Sequence, residues 1–267
     1  MSKISIVTAF FDIGRGFWTP EKGLPHYLQR SNETYIERFS HLLKLETDIT
    51  VFTSKDMEER LWREVGDRKF KTTIVPIDLS VFAGMRERIR EVQQLDSFKS
   101  SINPSQIKNP EYWSADYVLV NMLKSHFVNH AIGSGVISTD LVAWLDFGYC
   151  REDNTLNNVK LWNYPFNKEK IHFFNIKDYT GTSITDIIAN NDVHITGPCI
   201  VASQSMWPEL EKLVDKSFRE LLDKNLIDDD QTLLLMSYLT QPDSFELHPI
   251  SPNDWFIAFR KYNENIS

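Results

Sequence analysis

The chain has 267 residues, of which 42% are hydrophobic and 25% are charged, as in ordinary soluble globular proteins. A formal net charge of −8 and a pI of about 5.4 argue against non-specific nucleic-acid binding, which needs a basic surface. This length is enough for one large α/β domain or for two small ones.

The first half of the chain alternates predicted strands with predicted helices. Apolar, β-branched runs predict strands over 4–10, 49–52, 72–77 and 141–145. Helical spacing of apolar residues predicts helices over 32–47, 56–65, 85–98 and 115–131, with a Ser-, Asn- and Pro-rich loop over 99–114. This alternation predicts a doubly wound α/β fold with a mostly parallel sheet.

The pattern becomes less regular after Asp146. Short strands are predicted around 160–162, 171–176 and 193–201, followed by helices over 204–223 and 229–240 and a last strand, FELHPI. We expect a single domain over 1–267, with a nucleotide-binding half (1–150) and an acceptor or sugar half (151–267).

Two cysteines, Cys150 and Cys199, lie far apart and match no metal-ligand spacing, which favours free thiols in a reducing compartment. The first residues, MSKISIVTAFFDIG, run into a predicted strand and contain no secretory h-region. No segment approaches the roughly 20 apolar residues of a membrane span. The protein is therefore expected to be cytoplasmic.

The segment LVAWLDFGY ends a buried strand at Asp146, two residues before Gly148. Open α/β sheets bind ligands at the carboxyl ends of their strands, so Asp146 is a candidate metal or ribose ligand. Gly148 would let a ligand approach the backbone closely. An acid at a strand end is also ordinary turn chemistry, so this segment alone leaves the function open.

The first predicted strand runs into TAFFDIGRG, where a nucleotide could lie against Thr8, Ala9 and Phe10. Arg15 in this loop is a candidate phosphate ligand. The loop is not a P-loop, because the GxxxxGK[ST] pattern is absent. Lys124 lies among apolar residues of a predicted helix, where it either extends to solvent or contacts phosphate.

Gly197 interrupts the predicted strand ITGPCIVAS, and glycine in a strand marks a bulge or a close ligand. Pro198 cannot donate a hydrogen bond to a neighbouring strand, so this segment is expected at an edge or a bulge. His248 is a lone histidine, and such residues are more often structural than metal ligands.

Three acids, 228–230, precede Gln231 and an apolar helical run. One of them is expected to cap the helix, and acids in the first turn are favoured by the helix dipole. Capping does not account for all three acids or for Gln231. Asp229 or Asp230 is therefore a candidate catalytic base or sugar ligand, and Gln231 a candidate donor contact.

Together these segments resemble the HtrL/YibB family of bacterial proteins. The resemblance is carried by IVTAFFDIGRG, PEYWSADYVLVNMLKSHFV and VAWLDFGYCR, and it extends over nearly the whole chain. That family is associated with lipopolysaccharide and surface-polysaccharide loci. It is similar, more distantly, to nucleotide-sugar glycosyltransferases of the GT-A fold.

The resemblance implies a GT-A-like domain that transfers a hexose from a nucleotide-sugar, most simply a UDP-sugar. The implied acceptor is a lipopolysaccharide, O-antigen, capsular or other lipid-linked glycan at the inner face of the membrane. GT-A enzymes usually carry a D-x-D motif, of which only Asp146 is present here. Asp146 and His248 are the implied ligands of Mn²⁺ or Mg²⁺, with Asp230 or Asp229 as base and Gly197 near the donor sugar.

Two other functions stay open. A non-catalytic nucleotide-sugar- or glycan-binding protein is favoured by the incomplete D-x-D motif. A metal-dependent phosphohydrolase would need more carboxylates than one strand-end acid. An aromatic patch of Trp255, Phe256 and Phe259 would allow peripheral membrane association, although packing of these rings on the core is favoured.

Overall fold

A computed structural model describes residues 3–263 of the chain. Its strands are β1 (Ile4–Phe10), β2 (Ile49–Thr53), β3 (Thr72–Pro76), β4 (Leu141–Leu145), β5 (Ile171–Asn175), β6 (Ile195–Ser203) and β7 (Phe245–Pro249). They form one sheet in the order β3-β2-β1-β4-β6-β5-β7. β6 is antiparallel to both of its neighbours, and the other pairings are parallel. The predicted α/β fold with a mostly parallel sheet is confirmed.

The inner strands are apolar on both faces because helices and loops cover both sides of the sheet. Every residue of β1, β2, β4, β5 and β6 is buried, as in the continuous hydrophobic runs of covered parallel sheets. The edge strands β3 and β7 instead include partly or fully exposed positions.

Ten α-helices lie among the described residues: α1 (Asn32–Leu42), α2 (Lys55–Val65), α3 (Ala83–Gln94), α4 (Asp96–Ser101), α5 (Ala115–Met122), α6 (Lys124–Gly133), α7 (Ile184–Asn190), α8 (Trp207–Asp223), α9 (Asp230–Thr240) and α10 (Ala258–Lys261). α3, α5, α6, α8 and α9 pack on one face of the sheet, in a core that includes Trp144 and Trp207. α1, α2 and α10 contribute to a second core on the opposite face, around Phe39 and Trp162. No helix in the part of the chain that the structure describes could cross a membrane.

Several predicted helix and strand boundaries were wrong, because buried apolar residues do not by themselves mark where an element begins or ends. The predicted helices 85–98 and 115–131 are each two helices, broken at Leu95 and Leu123. Both halves of each pair bury apolar side chains in the same core, so their spacing in the sequence looks continuous. Likewise 160–162 is irregular rather than a strand, and its apolar character reflects the buried Trp162, whose indole nitrogen donates to the Tyr262 carbonyl (2.7 Å). α7 and α10 were not predicted.

The predicted irregularity at Gly197 is a bulge inside the sheet rather than an edge. Phe173 of β5 pairs with Ile200, yet the next residue, Phe174, pairs with Thr196. The intervening residues of β6 therefore bend away from β5 where β4 ends, and the Pro198 carbonyl accepts a hydrogen bond from the Asp146 amide (2.9 Å). This bend brings β6 to the edge of the sheet at which the predicted site lies.

Candidate functional site

A cavity of about 330 Å³ opens at the carboxyl ends of β1 and β4, the position that open α/β sheets use for ligands. Eight of the predicted site residues line it: Ala9, Phe10, Arg15, Lys124, Asp146, Gly148, Asp229 and Gln231. The structure thus brings together residues that lie more than 200 positions apart in the sequence.

Lys124 is the centre of a buried polar cluster at the base of this cavity. Its ammonium donates to Asp230 Oδ2 (2.7 Å), Asp146 Oδ1 (2.9 Å) and the Gly197 carbonyl (3.1 Å). These contacts use all three donors of a lysine. Burial alone would lower the pKa of Lys124, but the two carboxylates outweigh burial and raise it. The predicted extension to solvent is therefore wrong, and no donor is left for phosphate.

Gly197 is required by the position of Asp230. A Cβ at residue 197 would lie 1.7 Å from Asp230 Oδ2 and 2.6 Å from its Cγ. The glycine thus lets the Asp230 carboxylate lie against β6 and reach Lys124. Neither Gly197 nor Asp230 belongs to the described lining of the cavity, so both act beneath its surface.

Asp146 connects the buried cluster to the cavity. Oδ1 accepts from Lys124 and from the Trp144 indole nitrogen (2.9 Å), which fixes the carboxylate, and the side chain is 36% exposed. Oδ2 is the oxygen that remains for a ligand. Two residues later, a Cβ on Gly148 would lie 3.3 Å from ring carbons of Tyr35, so this position accommodates an aromatic side chain of the protein itself.

Four buried carboxyl groups lie near the start of α9: Glu111, Asp228, Asp229 and Asp230, which we call the acidic group. Burial, followed by the charge of Asp228, raises the pKa of Glu111 to about 8. Burial raises the pKa of Asp228 to about 7, and those of Asp229 and Asp230 are also raised by burial and by neighbouring acids. Burial therefore favours the protonated form of each of these four carboxyl groups.

Within the acidic group, Asp229 is the predicted acid that faces the cavity. It is the N-cap of α9, and its Oδ1 accepts from the Gln231 amide (3.0 Å). Its Oδ2 lies 3.4 Å from the Tyr117 hydroxyl. Glu111 lines the same cavity. Two protonatable carboxyl groups thus face a space in which a hydroxyl could exchange a proton.

A second set of charged residues lies beside the cavity: Arg15, Arg30, Arg38 and Arg151, which we call the arginine group. Arg15 donates to the Tyr35 hydroxyl (2.8 Å) and to the Leu28 carbonyl. The guanidinium of Arg151 lies 4.3 Å from the centre of the Phe256 ring. Burial, then the charges of Arg30 and Arg38, lower the pKa of Arg151 to about 9.

His248 lies apart from Asp146, in a different environment. In β7, Leu247 packs against the first core, so the next side chain points to the opposite face of the sheet. There the His248 ring contacts Phe174 and Tyr262, and its Nε2 lies 2.8 Å from His172 Nδ1. It does not line the described cavity, so the expectation that Asp146 and His248 share one metal site is not supported.

Of the remaining residues considered in the sequence analysis, some lie in the core and others line the cavity. Thr8 is fully buried within β1 and does not reach the cavity among the residues that the structure describes. Phe259 is fully buried in the second core, as favoured, whereas Trp255 and Phe256 are half-buried and line the cavity. The membrane role of this patch stays a prediction.

A divalent metal ion at Asp146 is a poor fit to these residues. Mg²⁺ and Mn²⁺ prefer several oxygen ligands, and Asp146 offers one oxygen that is not already paired. The position of the second D-x-D acid is Gly148, and the Lys124 ammonium lies 2.9 Å from the carboxylate. Among the described residues, three clustered side chains with ligand atoms occur at His172, Glu246 and His248, outside this cavity. The Mn²⁺ or Mg²⁺ expected from the sequence stays a prediction.

Sequence reasoning missed Glu111, Arg30 and Arg151. Glu111 and Arg151 belong to PEYWSADY and VAWLDFGYCR, segments that carry the family resemblance. These residues follow no spacing pattern in the sequence, because each of them lies near residues from distant segments.

Comparison with known proteins identifies close relatives. The sequence profile of a family described as "Bacterial protein of unknown function (HtrL_YibB)" matches residues 2–264. Protein HtrL of Escherichia coli (strain K12) is 43% identical over 269 residues, which covers 99% of this chain and 94% of that protein.

Two solved structures show a more distant likeness. Mouse xyloside xylosyltransferase 1, in its apo form, gives a TM-score of 0.43 at 12% identity and covers 92% of this chain and 84% of its own. The glycosyltransferase GlyE of Streptococcus pneumoniae TIGR4 gives a TM-score of 0.40 at 11% identity and covers 92% of this chain and 46% of its own. Function has to be inferred from the site itself.

Proposed function

The chain belongs to the HtrL/YibB family of bacterial proteins, and we propose that it is a glycosyltransferase that moves a hexose from a nucleotide-sugar to a glycan. The observation that carries this proposal is the pairing of two charge types in one cavity: buried protonatable carboxyls, and arginines that form no salt bridge with a carboxylate of the described residues. Glycosyl transfer needs both, because a hydroxyl loses a proton while a diphosphate leaves with negative charge.

In this proposal the acceptor hydroxyl lies against Asp229 and Glu111. Burial raises the pKa of Asp229, so its carboxylate, when ionised, is a stronger base than an exposed carboxylate. In an inverting reaction Asp229 would accept the proton of the attacking hydroxyl, and in a retaining reaction it would hold the donor sugar. Asp146 Oδ2 and Gln231 would contact the ribose or the sugar.

The finer assignments are also proposals. We propose a UDP-linked hexose as donor and a lipopolysaccharide, O-antigen or capsular glycan as acceptor, used at the cytoplasmic face of the inner membrane. They rest on the family resemblance of the three sequence segments and on a cavity of suitable size, since small-molecule sites span roughly 300–1,000 Å³.

The test is the variant Asp229→Asn, assayed for transfer from UDP-, GDP-, CMP- and dTDP-sugars to lipopolysaccharide core oligosaccharides. Asparagine caps helices as well as aspartate does, so α9 is expected to stay intact. Loss of the proton acceptor is expected to slow transfer by roughly 10²–10⁴-fold while donor affinity stays unchanged. The exposed Asp243→Asn is the matched control. Full activity of Asp229→Asn would remove Asp229 from the reaction.

A non-catalytic binding protein is the second candidate, and the glycine at the second acidic position of D-x-D favours it. It predicts donor binding without nucleotide release in the presence of any acceptor. Calorimetric binding measured beside the transfer assay separates the two functions, because only the enzyme turns over.

A further inference from the structure

The arginine group is assembled from three separate parts of the chain. Arg15 comes from the loop after β1, Arg30 and Arg38 from the approach to α1 and from α1 itself, and Arg151 from the segment after β4. Arg15, Arg30 and Arg151 line the cavity, while Arg38 lies close behind Gly148, where an added Cβ would lie 3.5 Å from its Cδ.

In the part of the chain that the structure describes, two members of the arginine group, Arg38 and Arg151, lack hydrogen-bond partners that buried cations normally have. Within the described residues, Arg151 Nε and Arg38 Nη1 are buried and have no hydrogen-bond partner. Two nearby carboxylates have other partners: Asp146 Oδ1 accepts from Lys124, and Asp12 accepts from the Gly14 amide and from Asn32. The charge of Asp146 raises the pKa of Arg151, but by less than burial, Arg30 and Arg38 lower it. The charge of Glu37 raises the pKa of Arg38, but by less than burial and the charge of Arg30 lower it.

Concentrated positive charge of this kind is unfavourable in the folded protein unless an anion binds there. Like charges repel, and arginine cannot relieve the repulsion by losing its proton near neutral pH. Guanidinium groups present planar pairs of donors that match phosphate oxygens, and such charge-assisted bonds are among the strongest in proteins. Proteins retain arrangements of this type mainly at functional sites.

We infer that the arginine group binds the diphosphate of the donor and supplies the positive charge that a divalent cation supplies in metal-dependent glycosyl transfer. This inference rests on the proposed function for the identity of the diphosphate. It accounts for the poor fit of a metal ion at Asp146, where the second acid is Gly148.

The chemical step is balanced without a further reactant. The bond between the sugar C1 and the β-phosphate oxygen breaks, and its electron pair stays on that oxygen. In an inverting reaction the acceptor oxygen forms the new bond to C1, and its proton passes to the ionised carboxylate of Asp229. Arg15, Arg30 and Arg151 would stabilise the charge that develops on the departing diphosphate.

The experiment is isothermal titration of the full chain with inorganic pyrophosphate, UDP and uridine, each with EDTA and with Mn²⁺. The variants are Arg30→Gln and Arg151→Gln, with Arg219→Gln on the exposed face of α8 as the matched control. Pyrophosphate and UDP are expected to bind in EDTA, and each arginine variant is expected to weaken them at least about tenfold. Uridine is expected to bind weakly and to be indifferent to the variants.

Unfolding temperatures of the ligand-free variants guard against a folding defect. Removal of one of several repelling charges is expected to leave the unfolding temperature of Arg30→Gln and Arg151→Gln no lower than that of the parent. If Arg151→Gln unfolds early because its contact with Phe256 is lost, Arg30→Gln still decides the outcome. Among the described residues, the Arg30 side chain lines the cavity and forms no hydrogen bond or salt bridge.

The outcomes separate this inference from the proposed function. UDP binding that requires Mn²⁺ and is unchanged in both arginine variants overturns the arginine site but leaves glycosyl transfer standing. Pyrophosphate binding in EDTA, lost in the variants but without any preference for nucleotides, supports the arginine site and removes the nucleotide-sugar donor. Absence of binding for every ligand overturns both.

Discussion

The acidic group and the arginine group are two clusters of like charges beside one cavity, and the protein accommodates them in opposite ways. In the acidic group, burial raises the pKa of Glu111 to about 8 and that of Asp228 to about 7, so protons neutralise much of the charge. Arginines have no such option near neutral pH, and within residues 3–263 the arginine group keeps its charge without a salt bridge to a carboxylate.

The difference indicates separate tasks for the two groups. A cluster that holds protons near pH 7 is suited to exchanging one with a substrate. A cluster that stays charged and unpartnered is suited to binding an anion, because the anion supplies the missing partners. Lys124 belongs to neither task, since Asp146, Asp230 and the Gly197 carbonyl use all its donors.

The largest expected effect is on stability, from Lys124→Met. Methionine fills a similar volume but leaves Asp146 and Asp230 without the cation that lies 2.9 and 2.7 Å away. Removal of one partner from a buried ion pair typically costs 3–5 kcal/mol, and we expect about that loss in the free energy of unfolding by urea. In this variant Asp146 would lose its neighbouring cation and become one more unpaired acid beside the acidic group.

The control is Lys124→Met combined with Asp230→Asn, which removes one of the two orphaned charges. The double variant is expected to recover part of the lost stability, because a coupled pair is not additive. Equal stability of Lys124→Met and the parent would mean that the ion pairs of Lys124 contribute nothing to the free energy of unfolding. Lys124 would then not separate the acidic group from the arginine group.

A smaller effect on stability is expected from Gly197→Ala, which displaces Asp230 of the acidic group without altering any charge. The new Cβ would lie 1.7 Å from Asp230 Oδ2, so the carboxylate has to move away from Lys124. Overpacking of this kind costs roughly 1–3 kcal/mol in the free energy of unfolding. The matched control is Gly84→Ala in α3, where an added Cβ meets nothing within 4 Å and helix propensity favours alanine. Equal effects of the two variants would contradict the requirement for glycine at residue 197.

The placement of Asp146, Gly148, Arg15 and Asp229 at one cavity could be predicted from the sequence, because strand ends and helix starts are local signals. An apolar run that ends in an acid indicates the carboxyl edge of a sheet. Acids before an apolar helical run indicate an N-cap, which Asp229 is. Ligand sites in α/β folds lie at that same edge.

The convergence of Arg30, Arg38 and Arg151 could not be predicted, since it depends on how the segment before α1 meets the segment after β4. Glu111 was missed for a similar reason, because its neighbour Asp228 is more than 100 residues away in the sequence. The expected grouping of His248 with Asp146 is not supported, because successive residues of a strand point to opposite faces of the sheet. One residue decides which face of a sheet a side chain enters, and the sequence leaves that choice open at a short edge strand.

The smallest expected effect is the pH dependence of stability, which separates the two groups directly. The pKa values of Glu111 and Asp228 are raised from their ordinary 4.5 and 3.8 to about 8 and about 7 in the folded chain. The folded state therefore holds protons that the unfolded chain has lost above pH 5, and stability falls as pH rises through 7 and 8. The slope is on the order of 1 kcal/mol per pH unit for each group that stays protonated.

The window from pH 6.5 to 8 isolates this effect. Burial lowers the pKa of His172, and burial followed by the charge of His172 lowers that of His248 to about 4, so their contribution rises with pH only below 6.5. The pKa of Arg151, lowered to about 9, lies above the window, so the arginine group adds no slope. The unfolding temperature should fall by a few degrees across the window, and Glu111→Gln should flatten the decline. An unfolding temperature of the parent that stays level or rises would mean that the acidic group is ionised in the folded protein. The two groups would then differ only in the sign of their charge.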